Sequence, residues 1–403
     1  MTRRSNSREP SCAEPRAVIV VARAARQLAA AARSAGWLPL VADAFGDADL
    51  RAVAVDWQQV SLGPDLAFRP RTLLGAVTRL RQRAPSAPLV WGSGFEGQPN
   101  LLHQLAAKGP VLGTPPAVLA LMQDPGAWSR LLRRLAIPHP AVALREVPRR
   151  GAWVAKRSGV SGGAHVRFAA PGSVLGTGEF AQQCVGGRAL SAVFVAGARE
   201  VRLAGYCEQL FSPVGASPFR HAGAIALPDD ALPRRLRAEV QTALQRLTTA
   251  LALRGLCGID FVLQPGGAWQ LIELNARAPS SFDLHATASS MFRAHLAACR
   301  GDPLPMGRKL STRRARAVHY ASSALRIVNS IDWPAWVADR PPDSSEIAVG
   351  APVCTVSAAA ATPALARQRL DRRLDRIRGW LGDADRRRPL TSHEILAGEH
   401  THE

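Results

Sequence analysis

Asp260, Glu273 and Asn275 are spaced as hard oxygen donors on a single β-hairpin would be. Cys257 to Leu263 alternates small or apolar residues with polar ones, Gln264-Pro265-Gly266-Gly267 supplies the turn, and Ala268 to Leu274 returns. Side chains two apart on a strand share a face, so Glu273 and Asn275 stand together and Arg277 continues the beat. Folding at the turn brings Asp260 across from them. Carboxylates completed by water and phosphate oxygens are how proteins hold Mg²⁺ beside a nucleoside triphosphate. The plainer alternative is an edge hairpin whose acids face water. Acids are depleted in strands, and these lie among Phe261, Val262, Leu271, Ile272 and Leu274, which favours the metal reading.

A second constellation precedes it. Trp153 to Lys156 reads as a strand running into Arg157-Ser158-Gly159-Val160-Ser161-Gly162-Gly163-Ala164-His165, after which Val166 to Phe168 returns. Gly159, Gly162 and Gly163 would let backbone N–H groups approach phosphate oxygens, and Lys156 adds a compact charge at the base of the loop. Alone, such a loop is also what a floppy turn looks like. Only Lys108, Lys156 and Lys309 among the 51 basic residues are lysine, so a lysine at 156 reads as one that arginine could not replace.

That arginine excess gives a formal charge of +20, yet the arginines are spread along the chain and aromatics are only 5%. No basic, aromatic-interleaved stripe results, so specific nucleic-acid binding is not expected; a basic face for an anionic substrate is compatible with it. The six cysteines show no CxxC pair and the ten histidines no HxxH pair, so a structural zinc is not expected and the cysteines read as reduced, buried thiols. No apolar run is long enough to span a bilayer, and the basic N-terminus lacks a following apolar region, so a cytoplasmic location is expected.

At 403 residues the chain has room for two or three domains. Ala17 to Val21 predicts a strand, Ala24 to Ala35 a helix ended by Gly36, and Trp37 to Ala42 a second strand, the β-α-β opening of an open α/β domain. No GxGxxG is present, which removes the main support for a dinucleotide enzyme. Pro88 to Trp91 reads as a further strand, and the loop Gly92 to Gly97 after it is either a ligand loop or a connector. Pro110 to Pro116 marks a boundary. A short helix covers Trp128 to Leu135, strands and glycine-rich turns fill Trp153 to Val201, and Leu236 to Leu253 is helical. Strands near Ala317 to Tyr320 and Val353 to Val356 precede a helix over Pro363 to Leu381, with Leu365, Leu370, Leu374, Ile377 and Leu381 as its apolar stripe.

The order of lysine and glycine loop, strand, helix, strand acid and E-x-N-x-R (Glu273, Asn275, Arg277) resembles the ATP-grasp superfamily, to which biotin carboxylase and D-alanine–D-alanine ligase belong. The resemblance implies an α/β architecture: an open pre-ATP-grasp α/β domain over 16–120, the ATP-grasp fold over 121–305 and a small mixed α+β domain over 306–385, between disordered tails at 1–15 and 386–403. It implies that the hinge strand near Phe180 to Gly187 meets adenine through Gln182, Gln183, Cys184 and Val185. It implies ATP and Mg²⁺ as cofactors, with Asp260, Glu273 and Asn275 on the metal, Lys156 and the glycines on the phosphates, and Arg277 as the catalytic charge. The expected reaction activates a small carboxylate as an acyl phosphate and joins it to an amine; a non-catalytic ATP-binding or scaffold protein is the alternative. Ser280, Ser281 and Asp283 are either acceptor-pocket residues or the polar start of a helix, and a homodimer is compatible with the family.

Two departures stand out. The segment Gln123 to Arg130 lacks the lysine usual before the first helix, leaving Arg130 as substitute, and Ala189 fills the slot of the acid that binds ribose. Asp43 to Asp49, Gly94 to Glu96 and Gly258 to Leu284 are also similar to ATP-grasp proteins that accompany methanopterin- and methylofuran-linked one-carbon genes in methylotrophic bacteria, which implies ligation in cofactor synthesis.

Overall fold

A computed structural model describes residues 16–382 apart from 64, 306, 308 and 328–330, together with 394–395. The expected tails lie outside the described residues, except that Glu394–Ile395 pairs with Gly187 and Arg188.

Ala17–Val21 is apolar at every position, as suits the middle of a parallel sheet covered on both faces. Val18 and Val20 pack with Leu28, Ala29 and Ala32 of the helix Arg26–Ser34, whereas Ile19 and Val21 pack with Leu73, Val77 and Leu80 of the helix Pro70–Arg83. The five strands run in the spatial order Asp56–Gln59, Leu38–Asp43, Ala17–Val21, Leu89–Trp91, Val111–Leu112, all parallel. The winding reverses between Ala17–Val21 and Leu89–Trp91. Loops leaving the carboxyl ends of two such strands part to open a crevice.

A long antiparallel sheet follows, beginning with Trp269–Asn275, Gly255–Leu263, Gly187–Ala196, Val201–Phe211 and His221–Ala226. Leu236, Val240, Leu244 and Leu247 seat the helix Arg234–Leu251 on one face, and Met291 and Phe292 seat the helix Ala288–Arg300 on the other. A separate four-stranded antiparallel sheet, Val142–Ala143, Glu179–Gln183, Trp153–Arg157 and Arg167–Phe168, carries the glycine loop.

The C-terminal strands Arg313–Tyr320 and Pro352–Ala360 continue the long sheet through His221–Ala226 rather than forming their own. The helix Pro363–Leu381 covers them with Ala366, Leu370, Leu374 and Ile377. Leu365, expected in that stripe, is half exposed. The helical repeat selects Ala366 in its place, four residues before Leu370, and turns Leu365 to the rim.

Candidate active site

Asp260 lies directly opposite Glu273 and Gly258 opposite Asn275 in the hairpin. The register slips between Asp260 and Phe261, a bulge. It explains how Leu271 and Leu274, an odd number of residues apart, enter one core while Glu273 keeps the face of Asp260. Asn275 Nδ2 donates to Asp260 Oδ2 at 3.2 Å. Burial, then repulsion from Glu273, pushes the Asp260 carboxyl up, against the pull of Arg277, Asn275 and Lys156. Burial raises Glu273 as well, opposed by Lys156 and Arg277. Two carboxylates forced together in this way are a donor set that a hard divalent cation fits, because its charge relieves both the burial and the repulsion. Among the described residues no three His, Cys, Asp or Glu side chains are grouped to hold a metal. Mg²⁺ here would take its remaining ligands from Asn275, water and phosphate.

The carboxylates line a cavity of 210 Å³ together with Lys156, Gly162, Gly163, Arg277 and the hinge residues Gln182, Gln183, Cys184 and Val185. A recess of 140 Å³ adjoins it, sharing Lys156, Glu273, Asn275 and Arg277 and adding Gly159 and Glu96. The carboxylates, Asn275, Lys156, the three glycines, Gln182 to Val185 and Arg277 therefore line one connected cleft. Arg130 does not: it is exposed in a separate open groove of 1180 Å³ on the outer side of the hinge. That groove is larger, but it holds none of Asp260, Glu273 and Lys156, so the chemistry belongs to the smaller cleft. Ala189 lines the cleft, with no acid in its place.

Within the hinge, the N–H of Gln183 donates to Ala141 O and that of Cys184 to Ala152 O, both internal bonds. The Val185 N–H makes no backbone bond among the described residues, which narrows the segment to one free edge for a base. Desolvation lowers the Lys156 pKa, and Glu273 and Asp260 oppose it. The loop glycines all have positive φ, at 74°, 89° and 75°. A Cβ on Gly159 would sit 2.7 Å from the Gly97 Cα, and one on Gly163 would collide with the Phe219 carbonyl, while Gly162 faces open space. Two of the three glycines are thus required by backbone packing, and Gly162 alone presents a bare peptide. The Gly162 carbonyl accepts from the His221 N–H at 2.9 Å.

Three residues absent from the sequence-based site complete it. Glu96 and Arg23 come from the loops at the crevice of the parallel sheet, joined where the Arg23 N–H donates to Ser93 O at 2.7 Å. Arg277 Nε donates to Glu96 Oε1 at 2.8 Å, and Arg23 Nη2 donates to Ser161 Oγ of the glycine loop at 3.2 Å. Burial raises the Glu96 carboxyl, but Arg277 and Arg23 outweigh it and hold it below the usual range. Burial, then Arg277, brings His221 down to about 4, so its imidazole is neutral near pH 7. Its Nε2 is 3.4 Å from Ser280 Oγ. Ser280 and Ser281 line the cleft, and Asp283 pairs with Arg316 at 2.9 Å. None begins a helix, since the following helix is capped by Thr287. The position of Gly92 to Gly97 after a strand was the one local signal for Glu96; nothing local points to Arg23 or His221.

Residues 127–281 match the ATP-grasp domain family. They form an ATP-grasp domain. The ATP-grasp architecture extends beyond that match. The biotin carboxylase domain dimer of the Hydrogenobacter thermophilus 2-oxoglutarate carboxylase, solved with MgADP, ADP and bicarbonate, superposes with a TM-score of 0.69 at 11% identity, over 94% of this chain and 99% of that one. Carboxyaminoimidazole ribonucleotide synthase from Aspergillus clavatus, complexed with ATP, gives 0.65 at 15% identity over 90% and 99%. The carbamoyl phosphate synthase large chain of Rubrobacter xylanophilus is 27% identical across 58% of this chain, and the match spans about a quarter of that relative's length, 24%. Among the described residues no helix is long and apolar enough to cross a membrane.

Proposed function

We propose that this chain is an ATP-dependent ligase that activates a small carboxylate and joins it to an amine or similar nucleophile, in the synthesis of a cofactor. The carrying observation is the cleft in which the opposed Asp260 and Glu273 face Lys156 and Arg277 beneath the glycine loop. Mg-ATP, when bound, supplies the phosphoryl group that turns the carboxylate into an acyl phosphate. Asp260, Glu273 and Asn275 would hold the metal, and Lys156 with the Gly162 peptide would hold phosphate oxygens. The Val185 N–H offers an edge for the base. Arg277, fixed by Glu96, sets a positive charge where negative charge collects during transfer. His221, neutral and beside Ser280, can orient an attacking free amine by a hydrogen bond from the amine N–H to the imidazole. The nucleotide-bound neighbours of the same fold support the nucleotide reading, and the dimeric one makes a homodimer part of the proposal.

A nucleotide-binding protein without turnover is the second reading, favoured by Ala189 in the cleft and Arg130 outside it. ADP release in Mg²⁺ and ATP, screened across small acids and amines with hydroxylamine as a trap, separates the two. Acid-stimulated ADP release with a trapped hydroxamate supports the ligase. Tight ATP binding with no acid-stimulated release across the screen supports the second reading.

A further inference from the structure

An open cavity of 420 Å³ lies where the helix Arg234–Leu251 begins against the strand Val201–Phe211. It shares no lining residue with the nucleotide cleft. Its polar wall is Arg234, Arg237, Lys309, Gln241, Asp229 and Tyr206.

The helix start is electrostatically inverted. The free N–H groups of a first turn carry partial positive charge and favour an acid or a capping oxygen. This one begins after Pro233 with no side-chain cap, no acid in its first turn, and Arg234, Arg235 and Arg237 instead. Arg235 is answered by Glu239 at 2.8 Å, and Lys309 by Asp229. Arg234 and Arg237 have no acidic partner among the described residues.

The floor gives an independent observation. Tyr206 is 2% exposed, and among the described residues neither its hydroxyl nor the Nε of Arg237 has a hydrogen-bond partner. Burial raises the phenol to about 12, with Arg237 opposing, so the hydroxyl stays a donor throughout the physiological range. Buried polar groups without partners are uncommon. Two buried donors without partners in one cavity, beside guanidinium groups that no carboxylate answers and free helix N–H groups, make a recess suited to an oxyanion, the wall carboxylate Asp229 being taken by Lys309.

We propose that this cavity binds a phosphate-class anion, held by Tyr206, Arg237, Arg234 and the first N–H groups of the helix, at a site separate from the nucleotide. The Tyr206 ring meets the Phe261 ring edge-on at 6.3 Å between centroids, and Phe261 lines the nucleotide cleft next to Asp260. An occupant therefore stands across the sheet from the carboxylate pair, behind the strand that carries Asp260.

The test titrates inorganic phosphate, and in a parallel arm glycerol 3-phosphate, at constant ionic strength into the full chain by calorimetry. Lys156→Gln identifies any binding that belongs to the nucleotide cleft. The remaining event is expected to weaken roughly tenfold in Tyr206→Phe, the loss of one charged hydrogen bond, and to vanish in Arg237→Gln. Tyr206→Phe keeps the ring and sheds only an orphaned hydroxyl, so its melting temperature should not fall; it decides the matter alone if Arg237→Gln does not fold. Tighter binding of the ester identifies a phosphorylated metabolite as the occupant, and tighter binding of free phosphate the inorganic ion. Titrations of Tyr206→Phe and Arg237→Gln that match the wild type, or binding confined to what Lys156→Gln removes, would overturn the proposal.

Discussion

Glu96 and Arg277, separated by 181 residues, meet at 2.8 Å and tie the crevice of the parallel sheet to the end of the hairpin. Their side chains are only 19% and 12% exposed, so water screens the pair weakly. Arg23 shares the same carboxylate. Removing Glu96 would leave two buried guanidinium groups facing one another. Glu96→Gln is expected to cost about 3 kcal/mol of stability, and Glu96→Gln with Arg277→Gln to recover part of it. Chemical denaturation of both variants measures this. A single mutant as stable as the wild type would show that the bond holds nothing together.

Asp260→Asn and Glu273→Gln should each fold and yet lose Mg²⁺-dependent ATP turnover on the order of 100-fold or more, since each removes a hard anionic donor. ADP release alongside melting curves checks it. Near-normal rates in both would end the metal assignment.

The same pair predicts a pH signature. Both carboxyls are raised in the folded chain, which therefore holds more protons than the unfolded one. Their contribution to stability is fully present below about pH 4. It is lost as pH rises through the folded value, about 7 for Asp260. Without divalent cation, melting should fall across that window by more in the wild type than in Asp260→Asn. Mg²⁺ with ADP should raise melting more at about pH 8 than at about pH 5. Equal Mg²⁺ effects at both ends would contradict the pairing.

Lys156→Arg should weaken ATP binding roughly tenfold, because a planar fork does not replace a compact ammonium that shares the cleft with the two carboxylates and the loop. Isothermal titration gives the constant directly. An unchanged value would make the lysine incidental.

Ser158 to His165 should close over bound nucleotide. Gly159 packs closely on Gly97, and the Gly163 and Gly162 carbonyls accept from Ser217 Oγ and the His221 N–H; fixing so glycine-rich a loop costs entropy, which phosphate contacts would offset. Hydrogen exchange across 157–166 should slow with Mg²⁺ and a non-hydrolysable ATP analogue. Exchange that stays equally fast at saturating analogue removes the lid.

What the chain disclosed in advance follows from range. Asp260, Glu273 and Asn275 were legible because a strand's period of two fixes their common face from local spacing. Lys156 stood out through the scarcity of its kind. The bulge at Asp260 was not visible, since nothing in Phe261 or Leu271 marks the slip. Gly159 and Gly163 read as phosphate-binding glycines, but their need for a bare Cα comes from Gly97 and Phe219, which only the fold brings near. Arg23 and Glu96 belong to loops and His221 to the start of a strand, all far apart in sequence, and one arginine among dozens carries no mark of its destination. Leu365 was misplaced for a smaller reason: two adjacent residues, Leu365 and Ala366, both fit an approximate helical stripe, and the larger was not the one turned inward.

The C-terminal strands are the outer rungs of the central sheet, and this makes the segment that carries them a guard against self-association. A chain cut after residue 305 would end with the edge of His221–Ala226 bare, its pairs with Ala315, Arg316 and Ala317 gone. Leu210, Ala222 and Ile225 would lose the cover of Val356, Leu370 and Leu374. An uncovered edge beside uncovered apolar residues is a template for strands of other chains. His221 would also lose the Tyr320 hydroxyl that donates to its carbonyl at 2.8 Å. Such a truncated chain would aggregate before it could be assayed, and a failure to turn over would then report on colloidal behaviour, not on catalysis.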